Sequence, residues 1–159
     1  MPGIIGRCDV HACQCYERLA KPDSFVWLQP HGLSVRENLV KEAQEEAGIP
    51  RQLAEQAKPA GAVSYTSKGP SGVGVKRDVL FVYDLELPGD FVPQAMDGEV
   101  ESFELLPARE VLDIVAFTDG YKDNCNLVLV DWFVRHGLLA ADAPGYLDVV
   151  RELRSGDCS

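Results

Sequence analysis

Three glutamates, Glu42, Glu45 and Glu46, stand close enough in the chain to act together. If this stretch is helical, their spacing places them on one narrow arc, because an α-helix has about 3.6 residues per turn. Like charges at these spacings repel one another, and a hard divalent cation that prefers carboxylate oxygens would neutralise them. The residue types therefore predict a Mg²⁺ or Mn²⁺ site. Spacing alone leaves open the alternative of a solvated, glutamate-rich helix face.

The helix that would carry these glutamates has clear signals at both ends. Ser34 and Glu37 have the spacing of a capping box, in which each side chain binds the backbone N–H of the other residue. Gly48 stands where a helix commonly ends in the left-handed conformation. The sequence therefore predicts a helix from Ser34 to about Ala47, with its apolar residues on the arc beside the glutamates.

The rest of the chain alternates between helix and strand patterns. Runs rich in β-branched and aromatic residues predict three strands, at residues 60–66, 77–87 and 99–106. Apolar content and end signals predict three further helices, at residues 51–57, 107–114 and 121–136. Interleaved elements of this kind favour an α/β domain with a mixed β-sheet between helices.

The length and net charge of the chain indicate a single domain and disfavour polyanionic partners. The chain has 159 residues, which suits one domain, and a formal net charge of −10. Nucleic acids and anionic membranes draw much of their affinity from Lys and Arg, so neither is an expected partner. The odd number of cysteines, five, favours reduced thiols. No signal or transit pattern is visible at the N-terminus, so we expect a cytoplasmic protein.

Residues 41–49 resemble the core of the Nudix hydrolase signature, Arg-Glu-U-x-Glu-Glu-x-Gly-U, where U is aliphatic. Six of the seven specified positions match this signature. They are Glu42, Ala43, Glu45, Glu46, Gly48 and Ile49. Weaker similarity extends over about residues 29–137 and resembles the branch related to thiamine pyrophosphokinase. The resemblance implies an α/β/α sandwich.

The resemblance also implies an activity and a set of site residues. Nudix hydrolases cleave the diphosphate linkage of nucleoside diphosphates joined to another group, using Mg²⁺ or Mn²⁺. The resemblance implies that Glu42, Glu45 and Glu46 bind the metal. It also implies that Lys41 orients a helix carboxylate and that Glu99 is the candidate general base. We expect a small diphosphate substrate, such as thiamine diphosphate or an oxidised analogue, and a homodimer is plausible from the family; the residues that bind the substrate are unknown.

Three features depart from the family pattern. Trp27 and Leu28 replace the paired glycines of the branch, and Lys41 replaces the signature arginine without its bidentate fork. The resemblance also stops near residue 28, so we interpret residues 1–28 as a separate segment, either truncated or from a displaced reading frame, before a domain at 29–159 with C-terminal helices. The alternative function is a catalytically weakened Nudix-fold module that binds a nucleotide-like ligand or a protein.

Overall fold

The computed structural model describes residues 31–68, 74–96 and 103–156. In chain order, the described elements are α1 (Val35–Ala47), α2 (Arg51–Ala54), β1 (Lys58–Lys68), β2 (Val75–Asp84), α3 (Ala108–Phe117), α4 (Asp123–Arg135) and α5 (Tyr146–Glu152). This mixture of helices and strands confirms the α/β class. Among these described helices, none is both long enough and apolar enough to cross a membrane.

Helix α1 has the predicted ends. The Ser34 hydroxyl accepts from the Glu37 N–H at 3.2 Å, and the Glu37 carboxylate accepts from the Ser34 N–H at 2.8 Å. Gly48 closes the helix in the left-handed conformation with φ of 64°, which glycine adopts without steric cost. Both ends are therefore specified by residues within one turn of them.

Strands β1 and β2 form an antiparallel pair in which Val63 lies opposite Leu80. The inward residues Val63 and Val82 pack with Val128 of α4 and with Leu153. Beyond β1, the C-terminal segment forms a parallel bridge between Ser64 and Arg154. Named strands in the described residues thus form a two-stranded antiparallel sheet, with one parallel contact at the edge of β1.

The apolar side of α1 determines how the helix is oriented. Leu39, Val40 and Ala43 are buried in one cluster with Ile49, Leu85 and Leu87. Arg36 adds a polar contact, since its guanidinium donates to the carbonyl oxygens of Glu55 at 2.5 Å and Ala57 at 3.1 Å. These contacts hold one side of α1 against the domain and leave Glu42 and Glu45 on the other side of the helix.

Two predictions about the second half of the chain were incomplete or wrong. The strand predicted at residues 99–106 is absent from 103–106, which lie in an irregular segment, and 99–102 are outside the described residues. C-terminal helices were predicted without bounds beyond residue 136, where the structure has α5. The buried helix α4 was predicted within two residues of each end, but it contains the buried Asp131, which an apolar pattern does not explain.

Candidate functional site

The three signature glutamates of α1 lie in different environments. The Glu45 side chain is 53% exposed and that of Glu42 is 18% exposed. Glu46 is buried, with 7% of the residue exposed. The difference follows from position around the helix, because Glu46 lies between Glu42 and the apolar residues of α1. Glu42 and Glu45 are therefore the accessible carboxylates.

Lys41 joins these two accessible carboxylates. Its Nζ lies 3.1 Å from Oε1 of Glu42 and 2.7 Å from Oε2 of Glu45. The hydrogen bond to Glu45, and then the one to Glu42, raises the pKa of Lys41 above its usual value. The ammonium group therefore stays charged at neutral pH. Lys41 thus pairs with two helix carboxylates, and its role in orienting them stays a prediction.

The end of α1 is covered by the segment before Asp97. Backbone N–H groups of Gln94 and Met96 donate to the carbonyl oxygens of Ala47 and Glu46, at 3.1 and 3.3 Å. These bonds satisfy carbonyl groups that a helix end leaves without a partner inside the helix. The glutamates are thus attached to a helix whose two ends are both held by specific hydrogen bonds.

The chemistry of the donor set suits a divalent metal ion. Two carboxylates already converge on one cationic nitrogen, and Mg²⁺ and Mn²⁺ prefer oxygen ligands of this kind. Within residues 31–68, 74–96 and 103–156, no three His, Cys, Asp or Glu side chains are grouped closely enough to form a complete metal cage. The assignment of Glu42, Glu45 and Glu46 as metal ligands therefore stays a prediction.

Some predicted site residues fall outside the described part of the chain. These are the candidate base Glu99 and the glycine replacements Trp27 and Leu28. Within the described part, the sequence patterns missed Asn38, which is buried to 5% exposure and whose Oδ1 has no hydrogen-bond partner. Its position four residues before Glu42, on the same helix face, is the signal that could have identified it.

A second set of charged residues is centred on Asp131 of α4, and its contacts connect elements of the fold. Arg135 donates to Asp84 at 2.5 and 2.9 Å and to Asp131 at 2.7 Å, and Arg154 donates to Asp131 at 2.8 Å. Asp131 is only 1% exposed. Burial lowers the pKa of Arg135, but the hydrogen bonds to Asp84 and Asp131 outweigh it and the net pKa is raised. This network joins β2, α4 and the C-terminal segment.

Comparison with known proteins supports the family predicted from α1. The chain is 55% identical over 130 residues to "Nudix hydrolase 24, chloroplastic" and 52% identical over 130 residues to "Nudix hydrolase 20, chloroplastic", both of Arabidopsis thaliana. These matches cover 82% of this chain but only 35% and 34% of the two relatives. An uncharacterized protein of Saccharomyces cerevisiae is 34% identical over 135 residues, 78% of this chain and 39% of that protein. No family model matches the chain.

These relatives point to one family of proteins. Over the matched residues, the chain is homologous to proteins named Nudix hydrolases, which supports its assignment to the Nudix family. The chain spans about a third of the length of the curated relatives it matches.

Proposed function

We propose that this chain is a divalent-metal-dependent hydrolase that cleaves the diphosphate linkage of a small nucleoside-diphosphate-like or thiamine-diphosphate-like substrate. The observation that carries the proposal is the convergence of Glu42 and Glu45 on the Lys41 ammonium, at 3.1 and 2.7 Å. It supports the proposal because carboxylate oxygens that lie close together around one positive charge are the ligand type that Mg²⁺ and Mn²⁺ prefer. The relatives named Nudix hydrolases support the same reaction class.

The proposed roles divide between the helix and a residue outside the described ranges. Glu42, Glu45 and Glu46 would hold Mg²⁺ or Mn²⁺, and Lys41 would keep the first two carboxylates oriented. When bound, the ion would neutralise diphosphate charge and favour attack of water on phosphorus. Glu99 would accept the proton of the attacking water as general base.

Charge supports a small substrate. A net charge of −10 opposes long polyanions, whose binding depends on many Lys and Arg contacts. A small diphosphate needs only local compensation, which a divalent ion can supply. Thiamine diphosphate or an oxidised analogue is proposed because the sequence resembles one branch of the family, the branch related to thiamine pyrophosphokinase.

The second candidate is a non-catalytic Nudix-fold binding module. Lys41 favours it, since this ammonium already neutralises the carboxylates that a metal ion would use. The replacement of paired glycines by Trp27 and Leu28 favours it as well, because bulky side chains prevent close approach of the backbone to a diphosphate.

Phosphate release separates these two candidates. The full chain would be assayed with thiamine diphosphate, its oxidised analogues, ADP-ribose, dinucleoside polyphosphates and a 5′-triphosphorylated oligonucleotide, with Mg²⁺ and with EDTA. The hydrolase proposal expects Mg²⁺-dependent cleavage of at least one small diphosphate, faster than cleavage of the oligonucleotide. If no compound is cleaved, the binding module is the better account. Trp27→Gly with Leu28→Gly should raise turnover more than metal affinity; equal turnover of both proteins would contradict the loop argument.

The cellular location and the oligomeric state of the protein can be tested separately from its activity. We propose a cytoplasmic protein that forms a homodimer. The names of the two Arabidopsis relatives carry the word chloroplastic, so a fluorescent fusion of the full chain would decide between these compartments. Light scattering of the purified chain would measure its oligomeric state.

A further inference from the structure

Asn38 is buried on the polar side of α1. Only 5% of the residue is exposed, and its side-chain oxygen Oδ1 has no hydrogen-bond partner. A buried polar atom without a hydrogen-bond partner is unfavourable, and in native proteins a bound water or ion can supply that partner. The Asn38 oxygen therefore needs a partner of this kind.

The helix places this oxygen beside the glutamates. At about 100° per residue, Asn38 lies about 40° around the helix from Glu42 and about 20° from Glu45, on the other side. It is one turn before Glu42, a spacing at which side chains meet. Asn38 lies at the edge of the buried arc of α1, which continues through Glu46 and Leu39, and its other neighbour around the helix is the exposed Glu45. The unsatisfied oxygen and the carboxylates thus share one face.

We propose that Asn38 is a positioning residue for the divalent cation, whose Oδ1 accepts a hydrogen bond from the hydration shell of an ion held by the helix glutamates. The inference rests on the proposed metal site and extends it to a neutral residue that the signature does not specify. Mg²⁺ suits this arrangement because it retains several of its waters when it binds to a protein. Such outer contacts typically change metal affinity by about 10- to 100-fold.

Asn126 provides a matched control. Its Oδ1 is also buried without a hydrogen-bond partner, but it lies on α4 and not on the helix of the glutamates. Both asparagines can be changed to leucine, which has a similar shape and lacks the amide. The two substitutions therefore remove the same kind of atom, one on the helix of the glutamates and one on another helix.

The test measures Mn²⁺ binding to the full chain by electron paramagnetic resonance, together with the melting temperature. Asn38→Leu should weaken Mn²⁺ binding by about tenfold or more without lowering the melting temperature of the metal-free protein. Asn126→Leu should leave Mn²⁺ affinity unchanged. Asn38→Asp should bind Mn²⁺ more tightly than the wild type, because it keeps an oxygen there and adds negative charge.

The outcomes separate this inference from the function on which it rests. Equal Mn²⁺ affinity of Asn38→Leu and the wild type would overturn the role of Asn38 and leave the glutamate site intact. If Asn38→Leu does not fold, an Asn38→Asp variant with unchanged or weaker Mn²⁺ binding would overturn it. A wild-type chain that binds no Mn²⁺ would overturn both the site and this inference. Asn38-dependent Mn²⁺ binding without any diphosphate cleavage would support this inference and contradict only the hydrolase.

Discussion

The guanidinium group of Arg135 donates two hydrogen bonds to the carboxylate of Asp84, at 2.5 and 2.9 Å, although the residues are 51 positions apart in the chain. Arg135 ends α4 and Asp84 ends β2, so the pair ties the helix to the hairpin. The same guanidinium binds Asp131, which also receives Arg154. One buried carboxylate therefore connects α4 to the C-terminal segment.

Replacing Asp131 by alanine should strongly destabilise the protein. The change leaves Arg135 and Arg154 without a shared, buried acceptor, and removal of one member of a buried ion pair typically costs about 3 to 5 kcal/mol. Urea unfolding would measure the loss. Asp148→Ala is the control, since Asp148 pairs with Arg151 at 71% exposure on both side chains and should change stability by less than about 1 kcal/mol. Similar losses for both variants would contradict the role of the network.

Gly156 should not tolerate a side chain. A Cβ atom there would lie 2.5 Å from the backbone nitrogen of Tyr65 and 2.8 Å from the carbonyl carbon of Ser64. Gly156→Ala should therefore separate the C-terminal segment from β1 and lower stability by about 1 to 3 kcal/mol, as overpacking usually does. The comparison is Gly89→Ala, because a Cβ at Gly89 meets nothing within 4 Å. The prediction fails if thermal unfolding shows the same melting temperature for both variants.

Divalent cations should stabilise the folded chain through the α1 glutamates. A ligand present at about 100 times its dissociation constant raises the free energy of unfolding by about 2.7 kcal/mol. For a protein of this size, that raises the melting temperature by about 5 to 10 °C. Glu45→Gln with Glu46→Gln should abolish the rise in melting temperature caused by Mg²⁺ or Mn²⁺. Glu55→Gln with Glu152→Gln removes the same formal charge elsewhere and should retain the rise. An undiminished rise in the first double mutant would falsify the ligand assignment.

The capping box should make the stability of α1 depend on pH. Hydrogen bonds from the Ser34 side chain and backbone lower the pKa of Glu37 in the folded protein. A lowered folded-state pKa means that the contribution is complete above the unfolded-state pKa and is lost as pH falls through the folded-state value. The stability difference between the wild type and Glu37→Ala should therefore be largest near neutral pH and shrink in acid. A difference that is constant from neutral pH into acid would contradict this linkage.

Features that depend on nearby residues were predictable from the sequence. The capping box of Ser34 and Glu37 and the left-handed end at Gly48 were confirmed, because each involves backbone groups within about one turn. The paired strands were predicted for the same reason, with β-branched and aromatic runs flanking a turn pattern. The spacing of Glu42, Glu45 and Glu46 followed directly once α1 was established.

The strand prediction shows where local patterns stop being sufficient. Residues 103–106 contain apolar residues suited to a strand, but the structure leaves them irregular. Strand formation requires a partner edge as well as suitable residues, and β-propensity depends strongly on that context. The sequence pattern does not specify the partner.

Contacts between distant residues were decided only by the tertiary structure. Ser64 binds Gly156 across 92 positions, and Asp84 meets Arg135 across 51. Neither pair has a local pattern, since what brings the two residues together is the packing of β1, β2 and α4 around Val63 and Val82. The burial of Asn38 has the same origin. Its place on the glutamate face follows from helical period, whereas the loss of solvent that leaves its oxygen without a partner depends on how the folded chain packs around α1.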